Sequence, residues 1–248
     1  IPTIKSETGY NNCIINGDIT TANDIVINNS TLTATNVNSI KSHRGEIIIN
    51  NSSIIGGSEQ VIVSNGDNIN ISIHNTTIKD SDGHGIYTTG DNINVILLNT
   101  SLEDCGGDGI YLDGDYSEVD LKYSFIKDNN GMGISTNGLS SHVKLSSSMV
   151  TGNGSYGIQS SGQVNLDYSN ITFNEDDGIY LTGNNFSNIK NSIIWGNDIV
   201  SYTQINTSSG VTSISYSTVQ GSGAYGTSGS QYYYGDGSID DDPVFEDN

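Results

Sequence analysis

One pattern of aliphatic residues recurs along this chain every 21–25 residues, and it constrains the fold more than any other feature. Two aliphatic residues stand two positions apart, a serine or threonine follows three positions later, and a third aliphatic residue follows two positions after that. The third aliphatic residue occurs nine times, at Leu32, Ile54, Ile78, Leu102, Ile126, Val150, Ile171, Ile194 and Val219. A fixed period of this length is typical of a solenoid, in which one structural unit is stacked on the next.

A second strand follows most copies of the pattern at a constant offset. A glycine–isoleucine pair begins seven residues after the third aliphatic residue, at Gly85, Gly109, Gly133, Gly157 and Gly178. Val61 and Ile62 fill the same position one coil earlier. Short segments rich in isoleucine and valine, without a helical period of 3.6 residues, indicate β-strands.

A column of glycines follows this second strand. Its members are Gly66, Gly90, Gly114, Gly138, Gly162 and Gly183. We expect a turn here whose backbone needs the positive φ that glycine permits.

Two or three short strands in a repeat of this length match one turn of a parallel β-helix. A leucine-rich repeat has a similar period, but its L-x-x-L-x-L-x-x-N frame is missing and nothing suggests a helix in each repeat. We therefore predict an all-β protein, a single-stranded right-handed parallel β-helix (solenoid) of about nine coils over residues 1–220. A Gly-, Tyr- and Asp-rich capping tail follows over residues 221–248.

Another column lies two residues after the second aliphatic residue. It contains Asn29, Asn51, Asn75, Asn99, Tyr123, Ser147, Tyr168, Asn191 and Tyr216. Asparagine side chains on consecutive coils can satisfy one another's amide groups. Several of these asparagines belong to N-x-S/T sequons, and we interpret them as ladder residues rather than glycosylation sites.

The charge balance excludes several classes of partner. The formal net charge is −20, from 28 acidic and 8 basic residues, and Arg44 is the only arginine. Nucleic acid binding needs clustered Lys and Arg, so no nucleic-acid partner is expected. No apolar stretch approaches the length of a membrane span, so we predict no membrane insertion. Cys13 and Cys105 lie about four coils apart, which excludes a disulfide between them.

The end of the chain carries its most specific motifs. Three segments follow one another: Asn191–Asn197 (NSIIWGN), Ile214–Gly221 (ISYSTVQG) and Gly237–Phe245 (GSIDDDPVF). This succession resembles the closing segment of secreted bacterial β-helix proteins of the choice-of-anchor type. The repeat region as a whole resembles the right-handed β-helix proteins of the pectate-lyase-like superfamily.

The resemblance implies a secreted or cell-surface protein, and we expect the start at Ile1, Pro2 and Thr3 to be a processed or trimmed end of a longer chain. It does not select a function, because the superfamily holds lyases, hydrolases, epimerases and non-catalytic adhesins.

One outer face of the predicted helix carries the candidate sugar-binding residues. The side chain after each isoleucine of the glycine–isoleucine pair points outward, which gives the column Val63, Tyr87, Tyr111, Ser135, Gln159 and Tyr180. Just before the glycine stand Gln60, His84, Asp108, Met132, Tyr156 and Asp177. Aromatic rings stack on pyranose faces and carboxylates accept hydrogen bonds from hydroxyls, so we predict substrate binding by Tyr87, Tyr111, Tyr180 and Asp177. Alternatively, the tyrosines simply suit exposed strands and Asp-Gly makes turns.

The same face holds the candidate catalytic residues His84, Asp108 and Asp113. His84 occupies a position that Asp108 and Asp177 fill in other coils, although a lone surface histidine commonly has no special role. Asp108 paired with Asp82 or Asp113 would suit glycoside hydrolysis at a separation of ~5–5.5 Å (retaining) or ~6.5–9.5 Å (inverting). Whether the protein is an enzyme stays open.

Two columns of carboxylates are candidate cation sites. One contains Asp80, Asp104 and Asp128, and the other contains Asp67, Asp91 and Asp115. Like charges one strand spacing apart repel unless a cation, a lysine or backbone amides compensate. Calcium held by Asp80, Asp104 and Asp128 is one interpretation and the capping of turns is the other; the tail segment Gly235–Asp242 is a further calcium candidate.

These observations together predict an extracellular or cell-surface β-helix, monomeric, that binds polysaccharide and processes it if the catalytic residues are in place. The alternative is a non-catalytic stalk or adhesin segment. The superfamily resemblance implies lyase chemistry, which uses a basic residue and cationic side chains that hold uronates. A single arginine and a net charge of −20 argue against cleavage of polyanions.

Overall fold

The computed structural model describes residues 3–5, 13–17, 19–21, 23–33, 40–198, 200, 203–221, 227–229 and 232–243, with side chains omitted for residues 3–5, 13–16, 21 and 227–229. Ile1, Pro2, Val244 and Phe245 of the predicted terminal motifs lie outside these residues, as does the side chain of Cys13. Within the part of the chain that is described, all regular structure is β, and no membrane-spanning helix is found.

Three parallel sheets, here called A, B and C, wind along the chain in a repeating order. Sheet A contains Thr3–Lys5, Ile25–Asn28, Ile47–Asn50, Asn70–His74, Asn94–Leu98, Glu118–Lys122, His142–Ser146, Gln163–Asp167, Phe186–Lys190, Val211–Ser215 and Tyr232–Tyr234. Sheet B contains Cys13–Asn16, Ser30–Thr33, Ser53–Ile55, Thr77–Lys79, Ser101–Glu103, Phe125–Lys127, Met149–Thr151, Asn170–Thr172, Ile193–Trp195 and Thr218–Val219. Sheet C contains Ile19–Thr21, Ile40–Ser42, Ile62–Ser64, Ile86–Thr88, Ile110–Leu112, Ile134–Thr136, Ile158–Ser160, Ile179–Leu181, Ile205–Thr207 and Thr227–Gly229.

The predicted stacking of apolar side chains is confirmed. Ile86, Ile110 and Ile134 are direct partners on adjacent strands of sheet C, and all three are fully buried. Burying such a side chain contributes about 1.5–3 kcal/mol relative to leaving it exposed. Because no single coil can cover its own aliphatic residues, the core exists only through this stacking.

Both ends of the repeat extend further than the nine copies in the sequence indicate. Sheet B has a strand before the first copy, Cys13–Asn16, which pairs with Ser30–Thr33. In the predicted tail, Thr227–Gly229 and Tyr232–Tyr234 continue sheets C and A. The boundary at residue 220 stays a prediction.

A single residue makes the corner between sheets A and B in each coil. This residue is the predicted asparagine column, and φ lies between 49° and 51° from Asn29 to Tyr216. The left-handed region costs most residues roughly 1–2 kcal/mol but is tolerated by asparagine. The predicted ladder is confirmed between Asn51, Asn75 and Asn99, where each amide donates to the preceding one at 3.0 and 2.9 Å.

The expected positive φ of the glycine column is wrong. Gly66, Gly90 and Gly114 have no left-handed backbone. They are glycines because consecutive coils approach closely there: a Cβ at Gly114 would overlap the carbonyl oxygen of Gly90, and one at Gly90 would overlap that of Gly66. The column is therefore a contact between neighbouring backbones.

Buried polar ladders, which the sequence pattern did not single out, run beside the core. Asn129, Asn153, Asn174 and Asn197 are each about fully buried, and each amide donates to the next at 2.8–2.9 Å. Gln204 accepts from Asn197 at 2.8 Å, and the amide N–H of Cys105, a buried free thiol, donates to Asn129 at 3.1 Å. These bonds satisfy polar groups whose desolvation would otherwise destabilise the fold.

Substitution of the glycine column tests the close approach of the coils. We expect Gly114→Ala to lower the free energy of unfolding by about 3 kcal/mol, because the added Cβ meets a backbone carbonyl that cannot rotate away. Denaturant unfolding followed by circular dichroism measures the change. Gly235→Ala is the matched control, since its Cβ would lie 3.3 Å from the nearest heavy atom. If the two variants were equally stable, the close contact between the backbones of neighbouring coils would not be the reason for glycine at position 114.

Candidate functional site

The outer surface of sheet C brings the predicted sugar-binding tyrosines into one column. Tyr87 and Tyr111 are direct partners, and the column continues through Ser135, Gln159 and Tyr180 to Asn206. The three tyrosines are partly exposed, as predicted. Val63 and Ser135 are buried, which corrects the prediction of an exposed column at those positions. Both are shorter than their neighbours: Lys41 and Tyr87 flank Val63, and Tyr111 and Gln159 flank Ser135.

Three aromatic rings form a cluster on this face, on the side of the N-terminal coils. The ring centroids of Tyr87 and Tyr111 lie 5.3 Å apart with an interplanar angle of 12°. The His84 ring lies 5.5 Å from Tyr87 and 5.1 Å from Tyr111. His84 is stacked on Tyr87 and tilted by 30° from Tyr111. Aromatic pairs at these separations stabilise one another by roughly 0.5–1.5 kcal/mol per pair. We call His84, Tyr87 and Tyr111 the upper aromatic cluster.

His84 makes a specific contact with the next coil. The backbone N–H of Asp108 donates to Nδ1 of His84 at 2.9 Å, so the proton of the neutral ring lies on Nε2. The Asp108 carboxylate acts in the same way one coil later, accepting from the backbone N–H of Met132 at 2.7 Å. The histidine therefore fills the aspartate position with the same structural role. Its Nε2–H is suited to donate a hydrogen bond to a ligand rather than to abstract a proton.

Asp108 and Asp113 differ in environment. Asp108 is buried, and this burial raises the pKa of its carboxyl group against the lowering effect of the Met132 N–H hydrogen bond. Asp113 is exposed on the same face. Burial raises the pKa of the Tyr111 hydroxyl, the nearby Asp113 charge raises it further, and a hydrogen bond with Asn137 lowers it. Catalytic roles for His84, Asp108 and Asp113 stay predictions.

A second aromatic pair lies on the same face, nearer to the C-terminal coils. The rings of Tyr156 and Tyr180 are stacked with centroids 5.0 Å apart, and we call them the lower aromatic cluster. Asp177 lies in the same column as His84 and Asp108 and is buried. Nδ2 of Asn206 donates to Oδ2 of Asp177 at 3.0 Å.

Sequence reasoning named Asp177 and Tyr180 as site residues but left out Tyr156 and Asn206. Tyr156 occupies the same column as His84, and this position in the repeat could have identified it as a site residue. Asn206 gave no signal, because Ile205 follows Ile194 by 11 residues instead of 8, so the constant offset fails in this coil.

The carboxylate column of Asp67, Asp91 and Asp115 is held by backbone amides. The Asp91 N–H donates to Asp67 at 3.0 Å, the Asp115 N–H donates to Asp91 at 2.9 Å, and the Leu139 N–H donates to Asp115 at 2.7 Å. Each carboxylate thus caps the turn of the following coil. Backbone amides therefore offset the repulsion between the carboxylates of this column.

The other column, Asp80, Asp104 and Asp128, combines left-handed turns with lysine contacts. Their φ values are 61°, 54° and 57°. Lys79 lies 3.0 Å from Asp80, and Lys127 lies 3.0 Å from Glu103 and 3.4 Å from Asp128. Among the described residues, no group of three or more His, Cys, Asp or Glu side chains is arranged to hold a metal ion. Calcium binding by these aspartates or by Gly235–Asp242 stays a prediction, and the side-chain contacts present at Asp80 and Asp128 are ion pairs with lysine.

The chain shares its architecture with known proteins. A family model described as "Right handed beta helix region" matches residues 60–227. No curated protein sequence matches the chain. The A-module of the mannuronan C-5 epimerase AlgE6 of Azotobacter vinelandii is similar in structure, with a TM-score of 0.50, 11% identity, and coverage of 92% of this chain and 84% of that chain. The A-module of AlgE4 from the same organism gives 0.48 and 12% at the same coverage. At this identity the likeness concerns the fold alone.

The environment of Asp177 makes the stability of the fold depend on pH. Burial raises the pKa of Asp177 from 3.8 to about 6, the Asn206 hydrogen bond lowers it, and the Asp198 and Asp176 charges raise it. The folded protein therefore retains this proton where the unfolded chain has lost it. The resulting stabilisation is complete below the unfolded pKa and is lost as pH rises through about 6.

We expect Asp177→Asn to remove this loss and to raise the free energy of unfolding near neutral pH by about 2–3 kcal/mol, with little change in acid. Denaturant titrations on both sides of the folded pKa measure the difference. Asp113→Asn removes an exposed carboxylate from the same face and should keep the native pH dependence. An Asp177→Asn protein whose stability falls with pH as steeply as the native one would contradict the assignment.

Proposed function

The chain belongs to the right-handed β-helix family, and from this premise we propose that it is an extracellular or cell-surface protein that binds polysaccharide along the outer face of sheet C. The observation that carries the proposal is the upper aromatic cluster. Three partly exposed rings with centroids within 5.5 Å of one another, two pairs of them stacked, lie beside carboxylates on the sheet.

Two aromatic clusters on one face suit a ligand that is long rather than compact. The upper cluster ends at Tyr111 and the lower cluster begins in the coil of Gln159, two strand spacings or about 10 Å further along. Between them the short side chain of Ser135 is buried, and Gln159 donates to Asn137 at 2.9 Å. Rings at both ends with amide groups between them provide stacking surfaces and hydrogen-bonding groups for successive sugar units.

The charges on this face favour an uncharged polysaccharide. In the coils from Tyr87 to Tyr180 the outward positions of sheet C carry no lysine or arginine, whereas Asp108, Asp113 and Asp177 lie beside them. A chain of uronates would meet like charges here, with a repulsion that is largest near the buried carboxylates. The structural likeness to the mannuronan C-5 epimerase module concerns the fold, and the substrate we propose is an uncharged polysaccharide.

A rigid stalk is the second candidate, and a specific observation favours it. His84 and Asp108 both use their side-chain acceptors to cap the next coil, which gives the two most conspicuous predicted catalytic residues a structural role. A stalk needs the ladder of caps but no ligand. Binding measurements therefore separate the two functions.

Glycan binding to the native protein and to Tyr87→Ala and Tyr111→Ala variants tests the proposal. We expect the native protein to bind at least one neutral polysaccharide, and each variant to bind it roughly fivefold more weakly because one stacking ring is lost. Isothermal titration or affinity electrophoresis on a panel of neutral and uronate polysaccharides provides the measurement.

The control is Tyr116→Asn, which removes a more exposed tyrosine from a different corner of the helix. Thermal unfolding of each variant confirms that the fold is retained. Affinity that is unchanged in both sheet C variants would remove this face as the binding site. Release of reducing ends or of unsaturated products during the same incubations would show catalysis, and Asp108→Asn would then abolish it.

A further inference from the structure

Three exposed tyrosines form a straight row at the corner between sheets A and B. Tyr123, Tyr168 and Tyr216 occupy the corner position of every second coil, with exposures of 62%, 66% and 57%. Each backbone N–H donates to the following coil, to Ser146, Lys190 and Asp236, at 3.0–3.3 Å. The row is thus fixed by the ladder of the helix itself and lies on a different face from both aromatic clusters.

The fold gives no reason for tyrosine at this corner. The φ values of the three tyrosines are 50–51°, in the left-handed region that favours asparagine. The four preceding coils place asparagine at the same position, from Asn29 to Asn99. Most of each tyrosine side chain faces solvent, so the core gains little from it. The recurrence of an unfavourable backbone conformation with exposed aromatic surface at three positions of one row points to a role in binding.

The spacing of the row identifies the kind of ligand. Two strand spacings separate successive tyrosines, about 10 Å, and the intervening positions hold Ser147 and Asn191, which are short and polar. In an extended β-1,4-linked glycan each sugar is turned by half a revolution relative to the last, so every second ring presents the same face. That disaccharide repeat is close to the separation of the tyrosines.

The charges beside the row are largely compensated. Lys122 lies 3.4 Å from Asp120, and Lys144 lies 2.6 Å from Glu118. Asp167 accepts from Asn191 at 2.8 Å and is the strand partner of Lys190. No excess of positive charge is therefore available for a polyanion, and the protein as a whole carries −20.

We propose that this tyrosine row is a second polysaccharide site, specific for an extended, uncharged, β-1,4-linked chain that lies parallel to the axis of the β-helix. This proposal rests on the proposed function for its ligand class, an uncharged polysaccharide. Its residues are different from those of the sheet C face. The three rings span about 19 Å, four strand spacings, so a ligand of five or six sugar units contacts all of them.

Binding to insoluble cellulose and chitin, and to their soluble oligomers of two to six units, tests the proposal. We expect affinity to rise with oligomer length up to the span of the row. The triple variant Tyr123→Asn, Tyr168→Asn and Tyr216→Asn should bind hexamers roughly 100-fold more weakly, as the product of three losses of about fivefold. Because asparagine is the residue of the same column in earlier coils, the variant should keep or raise its melting temperature.

Tyr116→Asn is a closely matched control. Tyr116 is 64% exposed with φ of 56°, follows Asn92 at the same position of the preceding coil, and has no aromatic residue in its own row. It should bind as the native protein does. The sheet C variants Tyr87→Ala and Tyr111→Ala provide the separation from the proposed function.

If the triple variant still binds cellulose and chitin and the sheet C variants do not, the tyrosine row is not a binding site. The proposed function of the sheet C face would then be supported. Loss in the triple variant alone would establish the row and remove sheet C. Failure of the native protein to bind any β-1,4-linked oligomer, or equal binding of polymannuronate and cellulose, would also overturn the proposal.

Discussion

The structure depends on the parallel hydrogen-bonded register between consecutive coils. Every coil must present its donors, acceptors and aliphatic side chains at the same height as the coil before it, since a slip of one residue would move the core side chains to the outer face. The register holds from Ile25 to Val219 although the repeat length varies between 21 and 25 residues. The variation is absorbed at two corners, before sheet C and after it. The corner between sheets A and B does not change.

Polar side chains also enforce this register. In most repeats the hydroxyl of the serine or threonine accepts from the backbone N–H of the coil before it, as Ser124 does for Thr100 at 3.2 Å. The buried asparagines from Asn129 to Asn174 donate their side-chain amides to the following coil. The aspartates from Asp67 to Asp115 accept from the backbone N–H of the following coil. The excess of acidic residues is explained in part by this capping, because a carboxylate that accepts a backbone N–H is stabilised at a turn.

The sequence predicted the fold well because its strongest signal, the spacing of aliphatic residues, is the same signal that sets the register. Ile86, Ile110 and Ile134 follow directly from that spacing. The glycine column was misjudged because glycine has two uses, positive φ and close approach, and one sequence cannot separate them. Ser135 and Val63 were misjudged because burial on an outer face depends on the size of neighbours in other coils. For the candidate site, the column that contains Tyr87 and Tyr111 was predictable from the constant offset of the glycine–isoleucine pair. The hydrogen bond of Asn206 with Asp177 was not, because the strand of Asn206 does not follow that offset.

The invariant corner between sheets A and B has a consequence for how such proteins diversify. The second aliphatic residue and the third are separated by five positions in every copy, from Ile27 and Leu32 to Ile214 and Val219, so none of the nine copies carries an insertion at this edge. It does accept asparagine, serine and tyrosine at one fixed backbone conformation. Point mutation alone can therefore rewrite the surface chemistry of an entire edge, one coil at a time, while the scaffold beneath it stays the same.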